Sequence, residues 1–193
     1  MLALVNTVMY GHSIMTDQLS AQDWLDQGLK TLAASGFTAL KAEPLAKAMG
    51  VSRGSFYWHF ADIAAFHAAI LKYWRQVAAE EIIADVEATA DGESPMPLLL
   101  RQAFSGKPAL ERAVRSWAMV DSGARSSVQA IDRRRLDYLK SLLRDAGFSD
   151  ETAQARAQIL YWAYLGSVLS DKPLSKPQHE ALLNELIRIA SAS

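Results

Sequence analysis

The chain has 193 residues, half of them hydrophobic and 21% charged, with a formal net charge of −1 and no cysteine. That is ordinary globular composition, long enough to bury a real core as one domain or as a large domain with a small companion. Disulfide frameworks, thiolate metal sites and thiol nucleophiles are excluded, and the near-neutral charge does not advertise a nucleic-acid partner, whose affinity would have to come from a local basic patch.

Met1 to Met15 is apolar but carries no Lys or Arg and includes Asn6 and His12. A secretory signal needs a basic start and a small-residue cleavage site, and a membrane span needs about 20 apolar residues. Neither fits, so residues 1–17 are expected to be a poorly ordered tail and the protein to be cytoplasmic, with no membrane partner. A sharper expectation is that translation starts at Met15, because Met15-Thr-Asp-Gln-Leu-Ser leads straight into the first helix.

Ser20-Ala-Gln-Asp23 resembles a capping box and opens helix 1, with Leu25, Leu29, Leu32 and Ala33 as its buried stripe. Gly36 stops that helix, and Phe37 is expected to fold back onto the stripe. Pro44 suits the first turn of helix 2. Leu45, Ala46 and Met49 share one face there, and Gly50 marks the reversal, since a left-handed backbone costs glycine little. Ser52 is placed to cap helix 3, on which Phe56 and Phe60 repeat the i, i+4 apolar spacing. Two short helices crossing at a glycine turn form a helix-turn-helix, whose second helix enters the DNA major groove.

A long helix spans about Asp62 to Thr89, with Phe66, Ile70, Tyr73, Trp74 and Val77 at helical spacing. Asp91-Gly-Glu-Ser-Pro-Met-Pro97 is a turn cluster. Amphipathic segments follow near 97–105, 108–122, 125–146, 150–170 and 176–191, punctuated by Gly106, Gly123, Gly147 and the Pro173/Pro177 pair. Ser149-Asp-Glu-Thr152 looks like a helix start, with acids at the positive end of the dipole. No stretch alternates as a strand would, so the chain is expected to be all-α with about nine helices.

The stretch Leu45-Ala-Lys-Ala-Met-Gly-Val-Ser-Arg-Gly-Ser-Phe-Tyr-Trp-His-Phe60, preceded by Gly36-Phe37-Thr38, resembles the tetracycline-repressor (TetR) family of bacterial transcription regulators. The specific likeness covers about residues 20 to 72. It divides the chain into the tail 1–17, a DNA-binding head over 18–63 and an effector-binding, dimerising body over 64–193. On the head, Arg53 is the candidate for bidentate recognition of guanine O6 and N7, Ser55 for either base type, and Gly54 for close approach. Ser52 presents a helix N-terminus to phosphate, and Lys41 and Lys47 are additional phosphate neutralisers. The resemblance assigns phosphate contacts to Tyr57 and His59 and a flanking contact to Trp58. Composition alone would equally allow these aromatics to be core, as Phe56 and Phe60 are.

Two residues depart from the family pattern. Ile63 stands where a lysine is usual, and Glu43 sits near the start of helix 2, where a carboxylate opposes phosphate. Asp62 is expected to add mild repulsion. Each lost phosphate contact flattens the salt dependence by roughly 0.9 in log–log slope.

For the body, the resemblance implies a homodimer that pairs the last two helices as a four-helix bundle, binding a palindromic operator. Ala153, Ala157, Leu160, Tyr161, Tyr164 and Val168 form one apolar face, and Leu182, Leu183, Leu186 and Ile187 another; intrachain core would explain them as well. A small-molecule effector is expected to sit among Trp74, Met96, Phe104, Trp117, Met119, Tyr138 and Trp162, each of which also reads as plain core. It would release the operator by changing the spacing of the two heads. Arg133-Arg-Arg135 reads as a solvated helix face. No enzyme is expected: His12, His59, His67 and His179 have no metal-ligand spacing, and there is no phosphate loop, nucleophile elbow or matched carboxylate pair. No cofactor is implied. The alternative is an all-α dimeric ligand-binding or scaffold protein that has lost specific DNA binding.

Overall fold

A computed structural model describes residues 19–89, 94–106, 108–172 and 174–191. The expected tail with its start at Met15, residues 91–93 of the turn cluster, and Pro173 lie outside them. Helix α1 (Ala21–Ser35) opens with a full capping box: the Ser20 hydroxyl accepts from the Asp23 amide, and the Asp23 carboxylate accepts from the Ser20 amide at 2.7 Å. It ends at Gly36, whose φ of 74° is readily adopted only without a side chain. Its inward face differs from the expected stripe. Trp24, Gly28 and Leu32 are fully buried, while Leu25 and Leu29 are half-buried. Two neighbouring stripes compete on this helix, and the one carrying the indole has more apolar area to hide.

Trp24 meets Phe56 edge-on at 5.3 Å, and Phe56 meets Phe66 at 5.2 Å. Gly28 lies flat against α4 (Ile63–Arg75): an added Cβ would stand 2.4 Å from Ile70 Cδ1. Phe37, in a 3₁₀ turn, packs against the cluster that includes Leu32 of α1 and also stacks on Trp117 at 4.5 Å.

Short helices α2 (Ala42–Ala48) and α3 (Arg53–His59) complete the head. From α4 the rod continues through a π-helical turn, Gln76–Glu80, into α5 (Glu81–Thr89). The body adds α6 (Pro95–Ser105), α7 (Pro108–Ala118), α8 (Ser122–Asp145), α9 (Asp150–Leu169) and α10 (Lys176–Ser191). With the α4–α5 rod taken as one, the described residues form nine helices and no strand. The α7–α8 break falls before the expected Gly123, because the Asp121 carboxylate accepts from the Ala124 amide at 2.7 Å and caps α8 there.

Two apolar clusters hold the chain together. One joins the head to α4, to Val114 and Trp117 of α7 and to Ile131 of α8, so packing runs across residue 63. The other joins α5, α6, the later part of α8, α9 and α10.

Candidate nucleic-acid interface and body cavity

The turn between α2 and α3 is built by Gly50 at φ 69°, with the Val51 amide donating to Ala46 O at 3.0 Å. Ser52 takes the N-cap backbone conformation, but its side chain makes no capping bond, contrary to expectation. The hydroxyl is therefore left for an outside partner. Beyond it α3 divides cleanly by exposure. Phe56 and Phe60 are buried, Ser55 and His59 are half-buried, and Arg53, Gly54 and Tyr57 face solvent. Trp58 is 85% exposed. An indole left in water by a helix that hides two phenylalanines is available to a partner.

Arg53 is held before any ligand arrives. Its guanidinium donates to the Tyr57 hydroxyl at 2.9 Å and lies 5.3 Å from the centre of that ring. The bond to Tyr57 raises the Arg53 pKa further, with Glu43 contributing in the same direction. Lys41, Lys47, Arg53 and Tyr57 line one shallow cleft together with Glu43 and Ile63. A Cβ added at Gly54 would meet Ser52 Oγ at 3.6 Å and no nearer neighbour beyond its own stretch of helix, so the missing side chain leaves room outward.

Local charge is balanced. Residues 20–63 hold Lys30, Lys41, Lys47 and Arg53 against Asp23, Asp26, Glu43 and Asp62. Three of these carboxylates are occupied inside the protein: Asp23 in the capping box, Asp26 accepting from Tyr73 Oη at 2.6 Å, and Asp62 accepting from the Ala65 amide at 2.7 Å. The expected repulsion from Asp62 is softened accordingly, since that charge caps the positive end of α4. Ile63 is half-buried against the head core, a place a lysine would occupy only by reaching outward.

In the body, a cavity of about 190 Å³ lies among the α4–α5 rod, α6, α7, α8 and α9. Of the expected effector residues, Trp74, Phe104 and Tyr138 line it. Met96 is buried in the second cluster without lining it, and Trp117 belongs to the junction with Phe37 and His67. Met119 and Trp162 are exposed, the latter by 63%. The polar wall is Gln102, Glu111, Arg135, Tyr161 and Tyr164; Tyr161 and Tyr164 were expected on a pairing face and Arg135 on a solvated one, and Gln102 and Glu111 were not singled out. A signal for Arg135 existed: it sits four residues after Ile131 and four before Leu139, in the apolar stripe of α8.

These charges form one network, with Glu111 buried and Arg115, Asp132 and Arg135 half-buried. Glu111 accepts from Arg115 at 2.8 Å and from Arg135 through both oxygens at 3.1 Å, and Arg135 also donates to Ala78 O in the π turn at 3.0 Å. Arg115 reaches Asp132 at 2.6 Å, and the Tyr161 hydroxyl donates to the same carboxylate at 2.5 Å. Burial works against the Arg135 charge, but Glu111 outweighs it and the pKa is raised. Burial first, then Glu111, pushes the Tyr164 pKa up to about 12. Arg135 is thus no part of a solvated face, whereas Arg133 is exposed and Arg134, its side chain 42% exposed, pairs with Glu80 at 3.1 Å.

The expected pairing faces are mostly spent inside the protomer. Ala153, Ala157, Leu160, Tyr161, Val168, Leu183 and Leu186 are buried, and Tyr164, Leu182 and Ile187 are half-buried against the second cluster. Beside the polar Asp150, Glu151, Gln154 and Ser167, α9 leaves outside Ala155, Ile159, Trp162, Gly166 and Leu169, a four-three-four-three stripe. Among the described residues no helix is long and apolar enough to cross a membrane, and no three His, Asp or Glu are grouped to hold a metal.

Residues 25–70 match the sequence profile of the bacterial regulatory proteins of the tetR family. No curated protein sequence matches the chain. Among solved structures, NemR of E. coli in its reduced form is 22% identical with a TM-score of 0.72, over 88% of this chain and 96% of that one. The fatty acid degradation regulator FadR from Bacillus halodurans is 16% identical with a TM-score of 0.62, over 90% and 95%. A candidate transcriptional regulator from Saccharomonospora viridis in complex with choline is 15% identical with a TM-score of 0.68, over 87% and 95%.

Proposed function

The head is a helix-turn-helix domain of the tetR family of bacterial regulatory proteins, and on that premise we propose that the chain is a DNA-binding transcriptional regulator, a repressor acting in the cytoplasm. It binds a palindromic operator as a homodimer through the head, residues 18–63, and is released when a small molecule enters the body, residues 64–193. The observation that carries this is the outward face of α3, with Arg53 braced by Tyr57 beside Lys41 and Lys47 while Phe56 and Phe60 fix the helix from behind.

Arg53 reads a guanine, Ser55 a neighbouring base edge, and Gly54 permits the approach. Tyr57, His59, Ser52, Lys41 and Lys47 meet phosphates, and Trp58 packs on the flanking backbone. Two such heads need a fixed separation to reach successive major grooves about 34–36 Å apart. The far side of α9 supports a dimer that sets it: a helix apolar on every side is covered on every side. Ile159, Trp162, Gly166 and Leu169 make that contact, with the cavity in each protomer as the effector site.

Selection from a random duplex library at low salt tests the reading. A two-fold symmetric site is expected, with Arg53→Ala relaxing preference at one position per half-site by about 1–3 kcal/mol. With few cations per head, the salt slope should be shallow, roughly −4 for two phosphate lysines in each of two heads. Wild-type protein that enriches no sequence sinks the proposal. A second reading, a dimeric ligand-binding scaffold without specific DNA binding, draws on the matched charges of the head and on Ile63, and the same selection decides between them.

A further inference from the structure

On the premise that the head binds an operator, we infer that Tyr57 is a positioning residue for base recognition. Its hydroxyl holds Arg53 in the orientation that reads guanine, so the sequence preference of the head depends on a side chain that itself touches no base.

Left to itself, Arg53 would not stay in place. It is the first residue of α3, where a cation faces the positive end of the helix dipole and is pushed away from the axis. The side chain stands in solvent, and a long guanidinium arm there has many rotamers to lose when it docks on a base. A competing partner is at hand. Asp23, Asp26 and Asp62 are engaged elsewhere, but Glu43 lines the same cleft and its charge acts on the guanidinium. An unbraced Arg53 is therefore mobile and drawn toward a carboxylate instead of toward DNA.

Tyr57 supplies the brace. It lies one turn further along α3, and helical side chains lean back toward the N-terminus, so its ring comes alongside the guanidinium. The Arg53 Nη2 group donates to Tyr57 Oη at 2.9 Å, with the guanidinium 5.3 Å from the ring centre. The tyrosine is itself anchored, because its ring meets the fully buried Phe56 edge-on at 5.3 Å. That bond occupies one guanidinium donor and leaves enough for both guanine O6 and N7. The Tyr57 hydroxyl, having accepted from Arg53, still has its own proton to donate to a phosphate oxygen. One side chain thus ties the base reader to the backbone that sets its register.

The test measures Kd by fluorescence anisotropy for two duplexes: the selected operator, and the same operator with adenine in place of the guanine whose preference Arg53→Ala removes. Full-length wild type, Tyr57→Phe, Arg53→Ala and the double variant are compared, with melting temperature as the fold control. Wild type is expected to prefer guanine about fiftyfold, Tyr57→Phe about fivefold, and the two proteins without Arg53 not at all. If Tyr57→Phe weakens both duplexes by one factor and keeps the fiftyfold preference, Tyr57 is a phosphate contact only and the positioning role is overturned, while operator binding stands. If Arg53→Ala removes no base preference, the role is overturned as well. Wild-type protein that enriches no sequence sinks operator binding and this role together. A second measurement needs no DNA: nitrogen-15 relaxation of the Arg53 Nε–H group in the free protein. It is expected to be more restricted in wild type than in Tyr57→Phe, and more restricted than that of the exposed Arg133. An Arg53 as mobile as Arg133 in wild type overturns the brace even if the variant fails to fold.

Discussion

Replacing Arg135 by methionine is the perturbation that most directly tests how the body is held together. The guanidinium makes two bonds to Glu111 at 3.1 Å and one to the Ala78 carbonyl at 3.0 Å, and its side chain is only 14% exposed. Removing one partner of a buried ion pair typically costs about 3–5 kcal/mol. Glu111 keeps Arg115 at 2.8 Å, however, so the lower end, about 3 kcal/mol, is expected here. In the double variant Glu111→Leu with Arg135→Met no carboxylate is stranded, and Arg115 still has Asp132 at 2.6 Å and the Tyr161 hydroxyl at 3.1 Å. That variant should cost less than Arg135→Met alone, about 1–2 kcal/mol, because two well-packed apolar groups can replace a buried pair. Urea unfolding followed by circular dichroism, at one fixed protein concentration so that association is constant, measures all the corners of the cycle. A single variant within about 1 kcal/mol of wild type, or a double whose cost equals the sum of the singles, would refute the argument that these charges act as one unit.

Gly28→Ala gains about 1 kcal/mol in helix propensity, yet its Cβ would lie 2.4 Å from Ile70 Cδ1 and 2.9 Å from Phe66 Cζ, both on fully buried side chains. Overpacking costs about 1–3 kcal/mol, so net destabilisation is expected in urea melts, and a stabilised variant would mean that α1 and α4 separate freely. Trp162→Glu places a charge on the outer face of α9. It should shift sedimentation velocity toward the monomer with helical content unchanged, whereas an unaltered sedimentation coefficient would move the pairing surface elsewhere. Tyr73 has its pKa raised to about 12, first by its hydrogen bond to Asp26 and then by burial. A raised folded-state value means that the stabilisation is whole below the unfolded pKa, near 10, and fades as pH climbs toward about 12. Tyr73→Phe should therefore lose stability relative to wild type at neutral pH, with the gap closing across that alkaline window; a gap that is constant with pH would show that the bond to Asp26 is unimportant.

What the chain spells out by itself is whatever depends on near neighbours. The capping box at Ser20 and Asp23, the glycine turn at position 50, and Phe56 and Phe60 on the hidden side of α3 are all set within a few residues of each other, by backbone conformation and helical repeat. Arg53 was legible as an outward residue once the two phenylalanines were assigned inward, whereas Tyr57 and Trp58, which composition allowed to be core, were expected outside only through the family resemblance. Residues far apart in sequence decided the rest. Along α9 apolar groups occur all around the helix, so periodicity could not say whether Ala157 and Leu160 or Ile159 and Trp162 would face out; α8 had to claim one side first. Trp117 and Trp162 are alike as sequence, yet one is stacked on Phe37 and the other stands in solvent. Glu111 and Arg135 can be buried only because helices α7 and α8 bring opposite charges together, and desolvation forbids either one alone. Local geometry is written residue by residue, whereas the choice of inward face and the burial of charge belong to the packed whole.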